Sequence, residues 1–568
     1  MATTRRHYKG RTYEAVLLRR SYREDGKVKN ETLGNISSLA PGEIEGIRAV
    51  LAGRELVDLD EALAIERSLP HGHVAAILGV LRDLDLERLI GRERCRERDL
   101  VVAMICQRLI APGSKLSATR RLSQTTLASE LSLGEVKEAE LLGAMDWLLE
   151  RQERIEKALA KRHLQGEGFM LYDLSSSYVE GRCCPLASLG YSRDGKRGTA
   201  QVNYGLTCSP QGRPVAIAVH DGSTQDQQTL PGAVQAVRER FGIHDVVVVG
   251  DRGMLTKAHA QALTGVGVEF VSALKSAQIR ALLVSGDLQL SLFDEVNLAE
   301  ISCDQFPGER LVVCRNPALA AERKRKRSEL LAATEAELDK VKAMVQGPRG
   351  SLRAADAGKI GMRVGKIVNR YKVAKHFELQ IADGAFSFAR KEHQIKAEAS
   401  LDGLYEIRTT CTESKLPSPA SVVRTYKQLK MAERAFRTMK DHIEIRPIHH
   451  HLEDRVRAHA FLCMLAYYVA FELHLRLAPL LFTDEAPLLP PDPVLPAARS
   501  ASAKAKAGSA KTTDGFAAHN FADLIAELGT LCRNDVRFGA AHSTFTRLTT
   551  PTPLHTRALE LLGIKLGA

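Results

Sequence analysis

The sequence lacks an apolar run of the ~18 to 20 residues that a membrane span needs: the stretch Ala458 to Leu475 is interrupted by His459, Glu472 and His474. The basic start of the chain leads into no apolar signal region, so neither membrane insertion nor export is expected. Its ten cysteines, at positions 95, 106, 183, 184, 208, 303, 314, 411, 463 and 532, include no CxxC pair and no paired metal spacing. That points away from a zinc module or a secreted disulfide scaffold and toward a reducing cytoplasm. Acidic charge is also short, with 68 Asp and Glu against 80 Lys and Arg, a formal +12. An excess of that size hints at a polyanionic partner without identifying one.

What is present fits a large folded chain. Its 568 residues, 44% hydrophobic and 26% charged, are enough for one sizeable core and accessory modules and exclude a disordered or collagen-like polymer. Residues 1–70 read as a small basic β-hairpin and helix module, with the turn Glu24-Asp25-Gly26-Lys27 between strand-like runs. Residues 71–165 turn helical, with Val74, Ile77, Leu78, Leu81 and Leu84 at helix spacing, and form a possible DNA-binding domain or an ordinary helical one.

From residue 166 strands take over. Phe169 to Leu174, Gln201 to Cys208 and Pro214 to Val219 precede a helical stretch, the all-apolar run Val246 to Val249, a second helix and the strand Val268 to Leu274. The order β-β-β-α-β-α-β predicts a mixed α/β sheet in which the valine run is buried on both faces. It matches the first part of a ribonuclease H-like core over 166–276. Residues 277–400 read as a largely β insertion with a helical arm, from strand-like runs at Leu288 to Leu292, Leu311 to Cys314, Arg363 to Val368, His376 to Ile381 and Ala385 to Ala389. Residues 401–478 supply the last strand and the helices that close the core. Residues 479–568 read as a Pro-, Ala-, Ser- and Lys-rich linker and a C-terminal helix.

Three carboxylates fall where rigid elements present them. Asp173 interrupts an apolar strand, Asp251 follows the valine run, and Glu433 lies in mid-helix. In a sheet ordered 3-2-1-4-5 the first and fourth strands are neighbours, which sets Asp173 beside Asp251; two aspartates that close repel unless a divalent cation lies between them. Around Glu433, Tyr426 and Lys440 are spaced by seven residues on either side, with Lys430 and Arg437 bordering the stripe. The segment Lys415 to Arg457 holds ten Lys and Arg against five Asp and Glu, a setting suited to a metal ion with phosphate oxygens around it. The bland alternative has Asp173 ending a strand, Asp251 opening a turn and Glu433 pairing with Arg437 at i, i+4.

These residues resemble the DDE transposases of bacterial insertion sequences, in the subgroup whose final acid lies in a Tyr-x2-Arg-x3-Glu-x6-Lys signature. The sequence reads Tyr426-x2-Leu429-x3-Glu433-x6-Lys440, with Leu429 in place of Arg, and Asp251-Arg252-Gly253 is followed by Thr256 where the family has an aromatic. The resemblance implies a metal-dependent enzyme of DNA transposition and recombination that cleaves transposon ends and joins them to target DNA. It assigns Asp173, Asp251 and Glu433 as catalytic ligands of Mg²⁺, for which Mn²⁺ substitutes, and Tyr426, Lys430, Arg437 and Lys440 as DNA contacts. A homodimer acting on double-stranded DNA, cytoplasmic and nucleoid-associated when bound, is the implied working form. Two other readings stay open on the sequence: a non-catalytic or domesticated DNA-binding derivative, and a stand-alone nuclease with the same core.

Overall fold

The computed structural model describes residues 1–54, 63–166, 168–293, 296–347, 352, 356–538 and 543–566. The chain divides into two compact units, one of Met1–Leu69 with Cys532–Thr550 and one of Pro70–Leu531 with Pro551–Ala568.

The smaller unit is built on tight turns. Lys9-Gly10 and Asp25-Gly26 all take positive φ, the backbone that two-residue hairpin turns require. They fold Ala2–Tyr8, Arg11–Glu24 and Lys27–Asn35 into a three-stranded antiparallel sheet. The single hairpin expected from the sequence is thus three strands, because Lys9-Gly10 makes a second turn. Helix Pro41–Leu51 follows. A second sheet places Cys532–Phe538 between Ser543–Leu548 and Leu63–Pro70, so the C-terminal region contributes strands as well as the helices Phe521–Gly529 and Pro553–Leu562.

The larger unit centres on eight strands: β1 (Phe169–Tyr178), β2 (Gln201–Cys208), β3 (Pro214–Asp221), β4 (Val247–Gly250), β5 (Glu269–Ala273), β6 (Leu298–Ile301), β7 (Arg310–Arg315) and β8 (Leu404–Thr409). Their order is β6-β7-β8-β5-β4-β1-β2-β3. β1, β2 and β3 form an antiparallel meander, β1, β4 and β5 run parallel, and β8, β7 and β6 add antiparallel to β5. The expected 3-2-1-4-5 order is present, and Val247, Val248 and Val249 are fully buried, as an apolar run covered on both faces must be. Helices Arg96–Ile110 and Glu138–Leu149 pack on the long helix Glu453–Arg476, which also lies against β3. That last helix is long and apolar enough to cross a membrane, yet 83% of its apolar window is buried inside the structure, as in a core helix.

The segment 277–400 is not largely β. β6 and β7 belong to the central sheet, Leu290–Phe293 is a 3₁₀ turn, and Arg363 to Val368 lies within helix Ala357–Tyr371. In that helix Ile360, Val364 and Val368 are buried one turn apart; their β-branching suggested a strand, and their spacing of four decides for a helix. It packs with helix Pro317–Gln346 and the hairpin Phe377–Ala382/Ala385–Arg390 around a small separate core. The Pro- and Lys-rich stretch after residue 487 is not a free linker either. Val494 is fully buried, Lys427 donates to the carbonyls of Val494 and Leu495 at 3.1 and 3.2 Å, and Lys506 is buried against Glu485.

One core side chain opposes the fold. Glu406 in β8 is fully buried and both its carboxylate oxygens lack a hydrogen-bond partner. Burial pushes its pKa up to about 7. Between its ordinary carboxylate value and that pH the folded protein binds a proton that the unfolded chain releases, so this group's contribution to stability falls as pH rises through the window. Gln reproduces the neutral acid, so Glu406→Gln should be close to wild type near pH 5 and more stable at pH 8, by up to about 3 kcal/mol. Thermal midpoints of both proteins across that range check this; a gap that stays constant would show that Glu406 does not titrate there.

Candidate active site

Strand register builds the centre. β1 and β4 pair in parallel with Tyr172 opposite Gly250, so the next residues along each chain, Asp173 and Asp251, leave the pairing side by side. β1 keeps its line because Gly205 on β2 lets the Tyr172 ring lie across it; a Cβ at Gly205 would stand 2.1 Å from the Tyr172 hydroxyl oxygen. Asp173 is partly buried, and its Oδ1 accepts the Leu174 amide at 2.8 Å. Its pKa is raised to about 7, first by burial and then by the charges of Asp251 and Glu433, with the Leu174 amide opposing. Asp251 opens a turn: its carbonyl accepts the Met254 amide at 3.0 Å, and its Oδ1 accepts the Tyr426 hydroxyl at 3.4 Å.

The third acid arrives on a broken helix. Ser418 caps helix Pro419–Lys427 by accepting the Ser421 amide, and Gln428 and Leu429 make i→i+3 turns before helix Lys430–Asp441 begins. Leu429, at the position where the signature has Arg, is buried in the core with Ala432, Phe436 and Met439; an Arg there would be buried too. On the opposite face Lys430, Glu433 and Arg437 are exposed, and none has a side-chain hydrogen bond or ion pair among the described residues. The i, i+4 pairing of Glu433 with Arg437 is therefore not formed. Thr256, the other departure, caps helix Lys257–Gly265 by accepting the His259 amide.

Among the described residues no three Asp, Glu, His or Cys side chains stand close enough to hold a metal ion as they are. The donor chemistry of Asp173, Asp251 and Glu433 nevertheless suits a hard divalent cation. All three are carboxylates, the ligands such ions take, and the charges of Asp251 and Glu433 add to the burial that raises the pKa of Asp173.

Residues 180–469, just over half of the chain, match the family described as the transposase DDE domain. The chain belongs to the DDE transposase family. Residues 1–60 match the N-terminal domain of the IS1634 family transposases, so this is an insertion-sequence transposase, an enzyme of DNA transposition. The chain is also similar, at 8% identity and a TM-score of 0.33 over 70% of its length and 71% of the other chain, to a piggyBac transposase in a cryo-EM synaptic complex with hairpin DNA. No curated protein matches the sequence.

Around its acids the transposase carries groups that sequence reasoning missed. Arg193, whose charge reaches Asp173, pairs with Asp226, and both line a cleft of about 530 Å³ with Gly253 and Lys275. Asp226 is a single acid at a helix start in a polar run, and no spacing in the sequence links it to Arg193. Nor is Lys440 open to DNA as expected. Its ammonium lies 2.7 Å from Asp194, with the two side chains 10% and 2% exposed, and Arg446 binds the same carboxylate. Asp194 also accepts the Tyr178 amide at the end of β1. Lys440 thus ties the Glu433 helix to the loop beside β1. Lys440→Ala leaves Asp194 with Arg446 alone, so it should cost on the order of 2 kcal/mol, less than a fully broken buried pair, while the salt dependence of DNA binding stays unchanged. Thermal unfolding together with DNA affinity across salt concentrations checks both; a shallower salt slope would return Lys440 to the DNA surface.

Proposed function

We propose that Asp173, Asp251 and Glu433 are the metal-binding carboxylates of this transposase, on a ribonuclease H-like core, and that they act at its transposon ends. The observation that carries this reading is the β1–β4 register, which aligns Asp173 with Asp251, with the Tyr426 hydroxyl on Asp251 from the helix that leads to Glu433. The β3-β2-β1-β4-β5 order supports the core assignment, and the helices between β7 and β8 support an insertion before the last strand.

Mg²⁺, with Mn²⁺ as substitute, would be held by these three carboxylates and would supply Lewis-acid activation of the attacking oxygen and neutralisation of the leaving oxygen. The remaining roles belong to the chain. Asp173 is held within β1 and Asp251 directly follows the paired β4, so little reorganisation is needed on their side of the centre. Glu433 comes from the exposed face of helix Lys430–Asp441 and completes the set. Tyr426 orients Asp251 through its hydroxyl. Lys430 and Arg437, exposed on the face of Glu433, hold backbone phosphates of double-stranded transposon-end and target DNA. A homodimer is the working form we infer, because joining two ends calls for two such centres. The Tyr-Arg-Glu-Lys subgroup assignment rests on Tyr426, Glu433 and Lys440 at the signature spacing.

Asp173→Ala, Asp251→Ala and Glu433→Ala should each lower Mg²⁺-dependent cleavage by roughly a thousandfold or more while leaving binding to the element's ends nearly intact. Gel shifts paired with nicking and strand-joining assays on DNA carrying those ends provide the test. Full nicking by any one variant would remove that residue from the centre.

A further inference from the structure

Beyond the acids, the segment after the Glu433 helix turns back along the end of β1. Ile448 bridges to Val179, and the Glu180 amide donates to the Ile448 carbonyl at 2.9 Å. This segment forms one wall of a cavity of about 320 Å³ whose other walls come from helices Arg96–Ile110, Lys115–Leu122, Glu138–Leu149 and Glu453–Arg476, and whose lining includes the acids Glu138 and Glu444.

Two buried cations face this cavity with no ion pair among the described residues. Lys115 is 5% exposed, and its ammonium reaches only His459 Nδ1, at 3.4 Å. His459 Nε2 donates to the Ile445 carbonyl at 3.0 Å, which leaves Nδ1 as the acceptor facing Lys115. Arg108, 6% exposed, donates only to the carbonyls of Ile443 and Glu444, at 3.3 and 3.2 Å. Among the described residues no carboxylate lies within ion-pair distance of either, Glu138 and Glu444 of the lining included. The other two cations of the lining are already neutralised, Arg446 by Asp194 and Asp441 and Arg455 by Asp146. An ammonium and a guanidinium buried without an anion are costly to the fold. Burial and the nearby Arg108 push the Lys115 pKa down to about 7. The start of helix Lys115–Leu122, capped by Ser114, opens on the same space and adds the positive end of its dipole.

We propose that this cavity is a phosphate-binding site with Lys115 and Arg108 as its cationic ligands, and that in the working transposase the phosphate belongs to the DNA backbone. The choice of DNA rests on the function proposed above. Val179 is six residues beyond Asp173 on the same extended run, ~20 Å along the strand, which a DNA strand spans in about six base steps. The phosphate held here is then one that flanks the cleaved position and fixes the register of the duplex on the protein.

Phosphate binding is tested without DNA or metal, by following the thermal midpoint of the full chain as inorganic phosphate replaces chloride at constant ionic strength. Wild type should be stabilised, and Lys115→Gln should bind phosphate about tenfold more weakly or worse. In phosphate-free buffer Lys115→Gln should be as stable as wild type or more so, since it removes an unpaired buried charge. With a duplex oligonucleotide, the log-log salt slope of the variant should be shallower by ~0.9. Phosphate stabilisation with an unchanged DNA slope would overturn the DNA assignment and leave a site for free phosphate or a nucleotide. Absence of stabilisation in wild type would overturn the site itself. Should the variant not fold, protection of His449 and His450 from diethyl pyrocarbonate by phosphate in wild type decides the same question, and no protection counts against the cavity. Nicking by wild type reports separately on the transposase centre, so intact Mg²⁺-dependent nicking with no phosphate effect sinks the cavity alone.

Discussion

The parallel pairing of β1 with β4 is the constraint on which the site depends. Met170, Leu171, Val247 and Val248 are fully buried, and the two strands pair with Phe169 opposite Val247 and Tyr172 opposite Gly250. That register sets the two aspartates next to each other, one residue beyond the Tyr172–Gly250 pair. Asp173 shows the cost of its position: burial first, and then the charges of Asp251 and Glu433, raise its pKa to about 7.

Glu433 is governed by a different kind of restraint. Its helix is fastened by Leu429, Ala432, Phe436 and Met439 in the core at one side and by the Lys440–Asp194–Arg446 cluster at its far end, while the face that carries the acid is left to solvent. The i→i+3 turns at Gln428 and Leu429 separate it from the helix of Tyr426. Tyr426 is therefore held to Asp251 on the sheet side and Glu433 is carried by the next segment. The two belong to one seven-residue spacing in the sequence and to two elements in the fold.

Much of this was legible in the sequence because the signals were local. The valine run and the alternation of strands with helices each report a backbone preference that the core reinforces, and together they predicted the order of the five strands. What was not legible depended on partners far along the chain. Lys440 looks like a solvent-facing cation at its helix position, and only Asp194, from a distant loop, makes it a buried tie. Arg193 and Asp226 meet across a loop and a helix start that carry no shared motif. Ile360, Val364 and Val368 suggested a strand by residue type, although their spacing was that of a helix. The Pro-rich stretch near Val494 had the composition of a linker, and its anchoring comes from Lys427 on another element.

The second sheet of the smaller unit joins Leu63–Pro70 to Cys532–Phe538, strands that are separated by nearly the whole length of the chain. Closing so long a loop is slow relative to forming local turns, since contacts far apart in sequence must wait for the entropy of the intervening segment to be overcome. During synthesis the first of these strands emerges early and has no partner until the last part of the chain is made. A chain interrupted before residue 532 leaves that strand as an open edge, available to any other strand it meets. The sheet thus ties the earliest part of the chain to the latest: only a chain that reaches Cys532–Phe538 can pair Leu63–Pro70 as here.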